Sequence, residues 1–168
     1  MSKAVLISIN PKWCEKIANG EKTIEIRKTR PHIILPVKVY IYETKGYERV
    51  GNDNLNFVIG GKGRGMVIGE FECHNIFTVY YDSDIRYGID YPNEYAKAIM
   101  EKSNLTLWEM LDYFDGKDGY AWVISDLKIY DEPKELSQFE ARKDCGGYFK
   151  WHKLTRPPQS WQFVEELE

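Results

Sequence analysis

The chain has 168 residues with 43% hydrophobic and 14% aromatic content, enough to bury a core without disulfide or metal staples. Its formal net charge of −3 argues against indiscriminate polyanion binding. No apolar run approaches a membrane span, and there is no signal-peptide pattern. Three cysteines without framework spacing point to a reducing, cytoplasmic setting.

Val5-Leu6-Ile7-Ser8-Ile9 is a short apolar run and predicts a buried strand. A helix over Asn10–Asn19 follows. Asn10 suits the cap, Pro11 the first turn, and Gly20 the left-handed position that ends it. Trp13 and Ile17 share one apolar face with Cys14 and Ala18. Trp13 is therefore expected in the core.

Lys22–Lys28 then predicts a strand, with Ile24 and Ile26 facing the core and Thr23, Glu25 and Arg27 facing the other way. Lys22 falls on the Ile side at the rim, where its ammonium can turn towards the same mouth. Two cations and a carboxylate within six residues are more than a structural strand needs. Glu25 and Arg27 have a bland explanation, a solvated ion pair of little worth. Together with Lys22 they offer donors, a fixed acceptor and a phosphate-sized fork.

Pro31 and Pro36 break the chain, and Val37–Tyr42 alternates as a half-buried strand. Residues 43–65 are expected to be irregular, apart from a short strand at Phe57–Ile59. Gly60-Gly61-Lys62-Gly63-Arg64-Gly65 fits neither phosphate-loop template, since a strand follows it and not a helix. It is expected to be a flexible exposed loop, or a mobile basic flap bringing Lys62 and Arg64 to an anion. Met66–Phe77 predicts a long strand bent at Gly69, residues 78–91 a loop, and Pro92–Lys102 a helix. Thr106 with Glu109 has the spacing of a capping box for a helix through Phe114. That helix is acidic, so a protein adaptor using Thr106–Phe114 is a third functional class. Tyr120–Tyr130 predicts a strand. The tail from Pro133 is expected to be irregular until a last strand at Trp161–Val164.

Charge is unevenly spread. Arg27, Lys28, Arg30 and Lys38 stand without an acid between Ile26 and Tyr42. The stretch Ala141–Trp161 holds Arg142, Lys143, Lys150, Lys153 and Arg156 against Asp144. Acids collect at Asp82, Asp84 and Asp90 and again over Glu109–Asp118. Cys14, Cys73, His74 and Cys145 lack zinc-site spacing, and Cys73 and His74 would point to opposite faces of a strand. No metal or cofactor is expected. Strands outnumber helices and long connections join them, which predicts one α+β domain over residues 1–168: a small mixed β-barrel with flanking helices.

Ser8-Ile9-Asn10-Pro11-Lys12-Trp13, then Ile17, then Gly20-x-Lys22-Thr23-x-Glu25-x-Arg27, resembles the ASCH domain (activating-signal-cointegrator homology) of the PUA-like superfamily. Gly65–Phe71, Trp122-Val123-Ile124 and Leu154–Trp161 are similar to later segments of stand-alone bacterial and phage members. The resemblance implies a PUA-like β-barrel and a cleft between the barrel and the first helix. It also implies RNA, or a nucleotide piece of it, as ligand. Lys22, Thr23, Glu25 and Arg27 would form the site, with Lys28, Lys62 and Arg64 as outer contacts. Some small members hydrolyse N4-acylated cytidine through a Gly-x-Lys-Thr-x-Thr-x-Arg pattern and a later Glu before Asn-x-Thr-Leu. Here Glu25 replaces the second Thr, and Ser103 precedes Asn104-Leu105-Thr106-Leu107. The alternative is thus a modified-nucleoside hydrolase or a ribonuclease, using Lys22 and Glu25 as catalytic residues.

Overall fold

The apolar run at the N-terminus becomes β1 (Lys3–Ile9), an interior strand of the largest sheet. It pairs antiparallel with β12 (Trp161–Glu165) and parallel with β3 (Val37–Glu43). Ala4 to Ile9 are all buried, because a strand covered on both faces needs continuous apolar residues and not alternation. The sheet order is completed by β6 (Met66–Cys73) and β9 (Ser125–Lys134), giving β12-β1-β3-β6-β9.

The computed structural model describes residues 3–50, 57–80, 94–144, 146 and 148–167. The remaining strands are β2 (Ile24–Arg27), β4 (Tyr47–Val50), β5 (Phe57–Gly60), β7 (Ile76–Val79), β8 (Gly119–Val123), β10 (Glu140–Asp144) and β11 (Phe149–Lys153). The helices are α1 (Pro11–Ala18), α2 (Glu94–Ser103) and α3 (Leu107–Phe114), with a 3-10 turn at Leu136–Gln138. The fold class is α+β, as expected. Among the described residues no helix is long and apolar enough to cross a membrane.

The chain divides into two compact units. The first comprises Met1–Glu15, Lys38–Phe71 and Leu127–Glu168; the second comprises Lys16–Val37 and Glu72–Asp126. In the first, Leu6, Tyr40, Val67, Phe139, Leu154 and Val164 form a core. Tyr40 meets the Phe139 ring edge-on at 4.9 Å, and its hydroxyl accepts from the Leu167 amide at 2.9 Å. In the second, the antiparallel sheet β2-β8-β7 lays Ile24, Ile26 and Ala121 against Ile99, Met110 and Phe114 of α2 and α3. Gly119 is required there, since a Cβ would come within 1.8 Å of the Phe114 ring.

Helix α3 has the expected capping box. The Thr106 side chain accepts from the Glu109 amide at 3.2 Å, and Glu109 accepts from the Thr106 amide at 2.9 Å. The acidic loop Asp82–Asp90 and Cys145 lie outside the described residues.

Three expectations about the strands are corrected. Met66–Phe77 is two strands, β6 and β7, in different sheets, and the break falls at His74-Asn75. There the Asn75 carbonyl accepts from the Val123 amide at 3.0 Å and from the Cys73 thiol at 3.4 Å. Gly69, inside β6, admits the Lys128 carbonyl, which a Cβ would meet at 2.5 Å. Likewise Tyr120–Tyr130 is divided into β8 and β9, with Asp126 left-handed at φ 48°. The tail from Pro133 is not irregular, because β10 and β11 pair as a hairpin. Its charged residues hid the strand alternation, since the hairpin is exposed along most of its length.

The glycine-rich loop is tied back by backbone hydrogen bonds. β4 and β5 pair, and the amides of Gly61, Gly63 and Gly65 donate to the carbonyls of Gly46, Lys45 and Glu43 at 3.0–3.1 Å. Gly61 and Gly63 serve this close approach: a Cβ would lie 2.2 Å from the Lys45 carbonyl or 1.8 Å from that of Thr44. Trp13 is only half-buried, whereas Cys14 and Ile17 on α1 are buried. The Lys12 ammonium lies over its ring at 4.4 Å. Trp161 is held in β12 opposite Ile7, in the last strand the sequence predicts.

Candidate functional site

β2 and the turn before it carry three charged residues that the fold nearly closes off from water. Lys22, just before the strand, is 2% exposed; Glu25 is 6% and Arg27 8% exposed. They are in contact. Lys22 Nζ lies 3.3 Å from Glu25 Oε2, and Arg27 Nη2 lies 3.0 Å from Glu25 Oε1. One carboxylate therefore bridges two cations. Ile24 and Ile26 do face the core as the alternation predicts. The opposite face is covered too, so Glu25 and Arg27 are not a solvated pair.

Local chain geometry sets Lys22 in place. The Gly20 amide donates to Ile17, with Gly20 left-handed at φ 81°, and the Lys22 amide returns to the Lys16 carbonyl at 2.9 Å. Thr23 then fixes the strand through its backbone, donating to Lys102 at 2.8 Å and accepting from Ile124 at 3.0 Å. The Lys22 ammonium donates to the Ser103 carbonyl at 2.7 Å, at the last turn of α2. A helix C-terminus, with its free carbonyls, is a natural partner for a cation. Ser103 is the residue standing before Asn104-Leu105-Thr106-Leu107, so the segment singled out in the sequence does reach Lys22.

Two residues were not foreseen here. Arg27 and the Lys28 amide both draw the phenol of Tyr113, on α3, down against the effect of its burial. The Lys28 ammonium lies 5.3 Å from the centre of the Tyr113 ring. Trp122 on β8 is opposite Glu25 in the ladder and so shares its face. It is fully buried. A signal for Tyr113 existed: once Thr106 fixes the helix start, Glu109 and Tyr113 fall four apart on one face. Glu109, read from sequence as part of an acidic docking face, closes the capping box and also acts on the charge of Lys22.

Exposure grades along the cluster. Lys22 is deepest, Arg27 is shallower, Tyr113 is 36% exposed and Lys28 is exposed. Any approach to the buried charges is thus easiest at the Arg27 end. Of the other expected contacts, the Thr23 side chain is exposed. Lys62 and Arg64 are exposed and belong to the first unit, whereas the cluster lies in the second. Arg64 is engaged with Glu43, its Nε at 3.7 Å and its amide donating at 2.9 Å.

Burial pushes the Lys22 ammonium below its ordinary value of 10.5, with Glu25 pulling the other way. It also raises the Tyr113 phenol, against the opposing pull of Arg27. The sign of the Lys22 effect is testable. Where the folded state holds a proton less tightly than the unfolded chain, stability rises with pH from the folded value up to about 10.5. Relative to wild type, Lys22→Met should lose that rise. Urea midpoints of the two proteins, followed as the pH rises towards about 10.5, check it. Parallel pH profiles would mean that Lys22 titrates normally.

The thiols offer no comparable chemistry. Burial raises Cys73 to about 11, so it stays protonated, and Cys14 Sγ donates to the Ile9 carbonyl at 3.6 Å. Exposed His74 lies just beyond β6, its Nε2 3.4 Å from Asp126 Oδ2. Among the described residues, no group of three or more His, Cys, Asp and Glu could hold a metal ion.

No protein-family model matches the sequence, and no curated protein sequence matches it. The fold does have counterparts among solved structures. The crystal structure of ASCH from Zymomonas mobilis is 20% identical, with a TM-score of 0.58 over 97% of this chain and 88% of that one. Two mutant forms of the Zymomonas mobilis protein match similarly. One has a TM-score of 0.58 at 20% identity over 98% of this chain and 92% of the other. The second has a TM-score of 0.57 at 20% identity over 97% and 89%. The chain has the ASCH fold, in agreement with the resemblance carried by residues 8–27.

Proposed function

We propose that this chain, which has the ASCH fold, is an RNA- or nucleotide-binding module whose ligand phosphate is held by Arg27 and Lys22. The single observation that carries the reading is two buried cations sharing one close carboxylate. Burying that set is costly, and hydrophobic residues of the same volume would serve stability as well or better. An anion arriving at the Arg27 end balances the surplus charge. Glu25 keeps the guanidinium fork in place and is an acceptor for a base or sugar edge. Lys28 and Tyr113 are the outer contacts, Tyr113 offering a ring for a base to stack on. On this reading the large sheet is a wall of a PUA-like barrel, and the chain acts as one domain. The two units are interleaved in sequence, so neither can be cut away as one segment. The setting is cytoplasmic.

A second reading is favoured by the depressed Lys22. A buried lysine poised away from its ordinary value suits proton transfer, with Glu25 as general base towards water. The substrate would be an acylated nucleoside or RNA.

Titration of wild type with a nucleoside, its 5′-monophosphate and a short single-stranded RNA tests the first reading. Binding should need the phosphate and weaken with salt. Equal affinity for nucleoside and monophosphate would overturn the phosphate role. Incubation with N4-acylcytidine and labelled RNA tests the second, which requires turnover that Lys22→Ala abolishes.

A further inference from the structure

A second group of titratable side chains lies in the first unit, where the chain passes beyond β12. That strand ends at Glu165, and its ladder with β1 goes no further. Glu166 and Leu167 then reach β3, which lies beyond β1 in the strand order. The Lys38 ammonium is 2.8 Å from Glu166 Oε1. The Tyr40 hydroxyl accepts from the Leu167 amide at 2.9 Å, and the Leu167 side chain packs on the core that contains Tyr40 and Phe139.

The seat under these two residues is built by three neighbouring strands. Lys38 and Tyr40 stand two apart on β3 and so share a face. Glu70 of β6 accepts from the Tyr130 hydroxyl of β9, and the Lys134 ammonium lies 5.2 Å from the centre of the Tyr130 ring. Glu70 and Glu166 both act on the charge of Lys38. Tucking away an end of chain needs only apolar contact. Here a cation takes a carboxylate, a hydroxyl takes the next backbone amide, and an apolar seat takes the next side chain. Main-chain bonds combined with side-chain seats are how proteins recognise extended peptides.

The contact is also lightly closed. The Lys38 and Glu166 side chains are 24% and 29% exposed, and an ion pair so wetted contributes little. Releasing the two residues breaks none of the β1–β12 ladder, so it is a local opening and not an unfolding of the sheet.

We infer that Lys38, Tyr40 and the apolar seat of Leu167 form a second binding site, for an extended acidic–apolar peptide of the pattern Glu-Leu, which the chain's own Glu166-Leu167 occupies as an intramolecular inhibitor. This goes beyond the nucleotide reading and uses none of the residues of the Lys22–Glu25–Arg27 site.

The test is fluorescence anisotropy with a labelled Phe-Val-Glu-Glu-Leu peptide, the sequence of residues 163–167. The proteins are wild type, Glu166→Lys/Leu167→Asp, which frees the seat, and that variant with Lys38→Glu added. A tethered segment competes at an effective concentration on the order of millimolar. The freed variant should therefore bind the peptide at least about tenfold more tightly than wild type. Adding Lys38→Glu should abolish that gain, and a peptide with Lys in place of its second Glu should recover it. Amide hydrogen exchange in wild type is read alongside, since it needs no variant to fold. The Leu167 amide should exchange faster than the ladder amides of β12. The inference is overturned if folded Glu166→Lys/Leu167→Asp binds the peptide no better than wild type, or if Lys38→Glu leaves its binding unchanged. Protection of Leu167 equal to that of the ladder amides overturns it as well, because the segment would then open only with the sheet.

Discussion

Glu25→Ala should destabilise the protein by about 3–5 kcal/mol, the range seen when one member of a buried ion set is removed. The reason is local. Without Glu25, Lys22 and Arg27 lose the carboxylate that lies 3.3 Å and 3.0 Å from them, while both side chains stay almost wholly buried. Urea unfolding followed by tryptophan fluorescence reads the effect as a lower midpoint at unchanged slope. Glu25→Gln should be intermediate, because an amide oxygen still accepts but carries no charge. Replacing Lys22, Glu25 and Arg27 together with Met, Leu and Met should recover most of the loss, since packed apolar residues bring no desolvation cost. A loss under about 1 kcal/mol for Glu25→Ala would mean that water screens all three charges.

Arg27→Ala should weaken binding of a nucleoside monophosphate by about 10- to 150-fold, the equivalent of a charge-assisted bond of about 1.5–3 kcal/mol. A phosphate takes a guanidinium through two parallel N–H groups, and no other residue of the cluster offers that fork. Arg27→Lys should therefore restore only part of the affinity, because a point charge replaces a planar donor pair. The salt slope for a short RNA should fall by about 0.7 in Arg27→Ala. Near-ultraviolet circular dichroism of each variant separates a lost contact from a lost fold. Unchanged affinity in folded Arg27→Ala would remove the proposed phosphate site.

Much of the second unit was legible in the sequence. Alternation placed Ile24 and Ile26 in the core, and the Thr106–Glu109 spacing placed the start of α3. Concentration of charge on one short strand singled out Lys22, Glu25 and Arg27 before their contacts were known. What could not be read was what covers them. Tyr113 and Trp122 come to β2 from ninety residues further along the chain, and no local pattern encodes such an approach. Strand ends were missed where an apolar run passes from one sheet to another, as at His74-Asn75 and Ile124. The β10–β11 hairpin was missed for the converse reason: both of its faces are polar along much of its length. The glycines at 61 and 63 suggested looseness, but each provides room for a neighbouring carbonyl.

The most direct measurement is a crystal structure of the protein soaked with a nucleoside 5′-monophosphate. Phosphate density within hydrogen-bond reach of the Arg27 guanidinium, with the Glu25 bridge retained behind it, is the predicted result. A nucleotide bound elsewhere, with Arg27 still sealed between Glu25 and Tyr113, would contradict it.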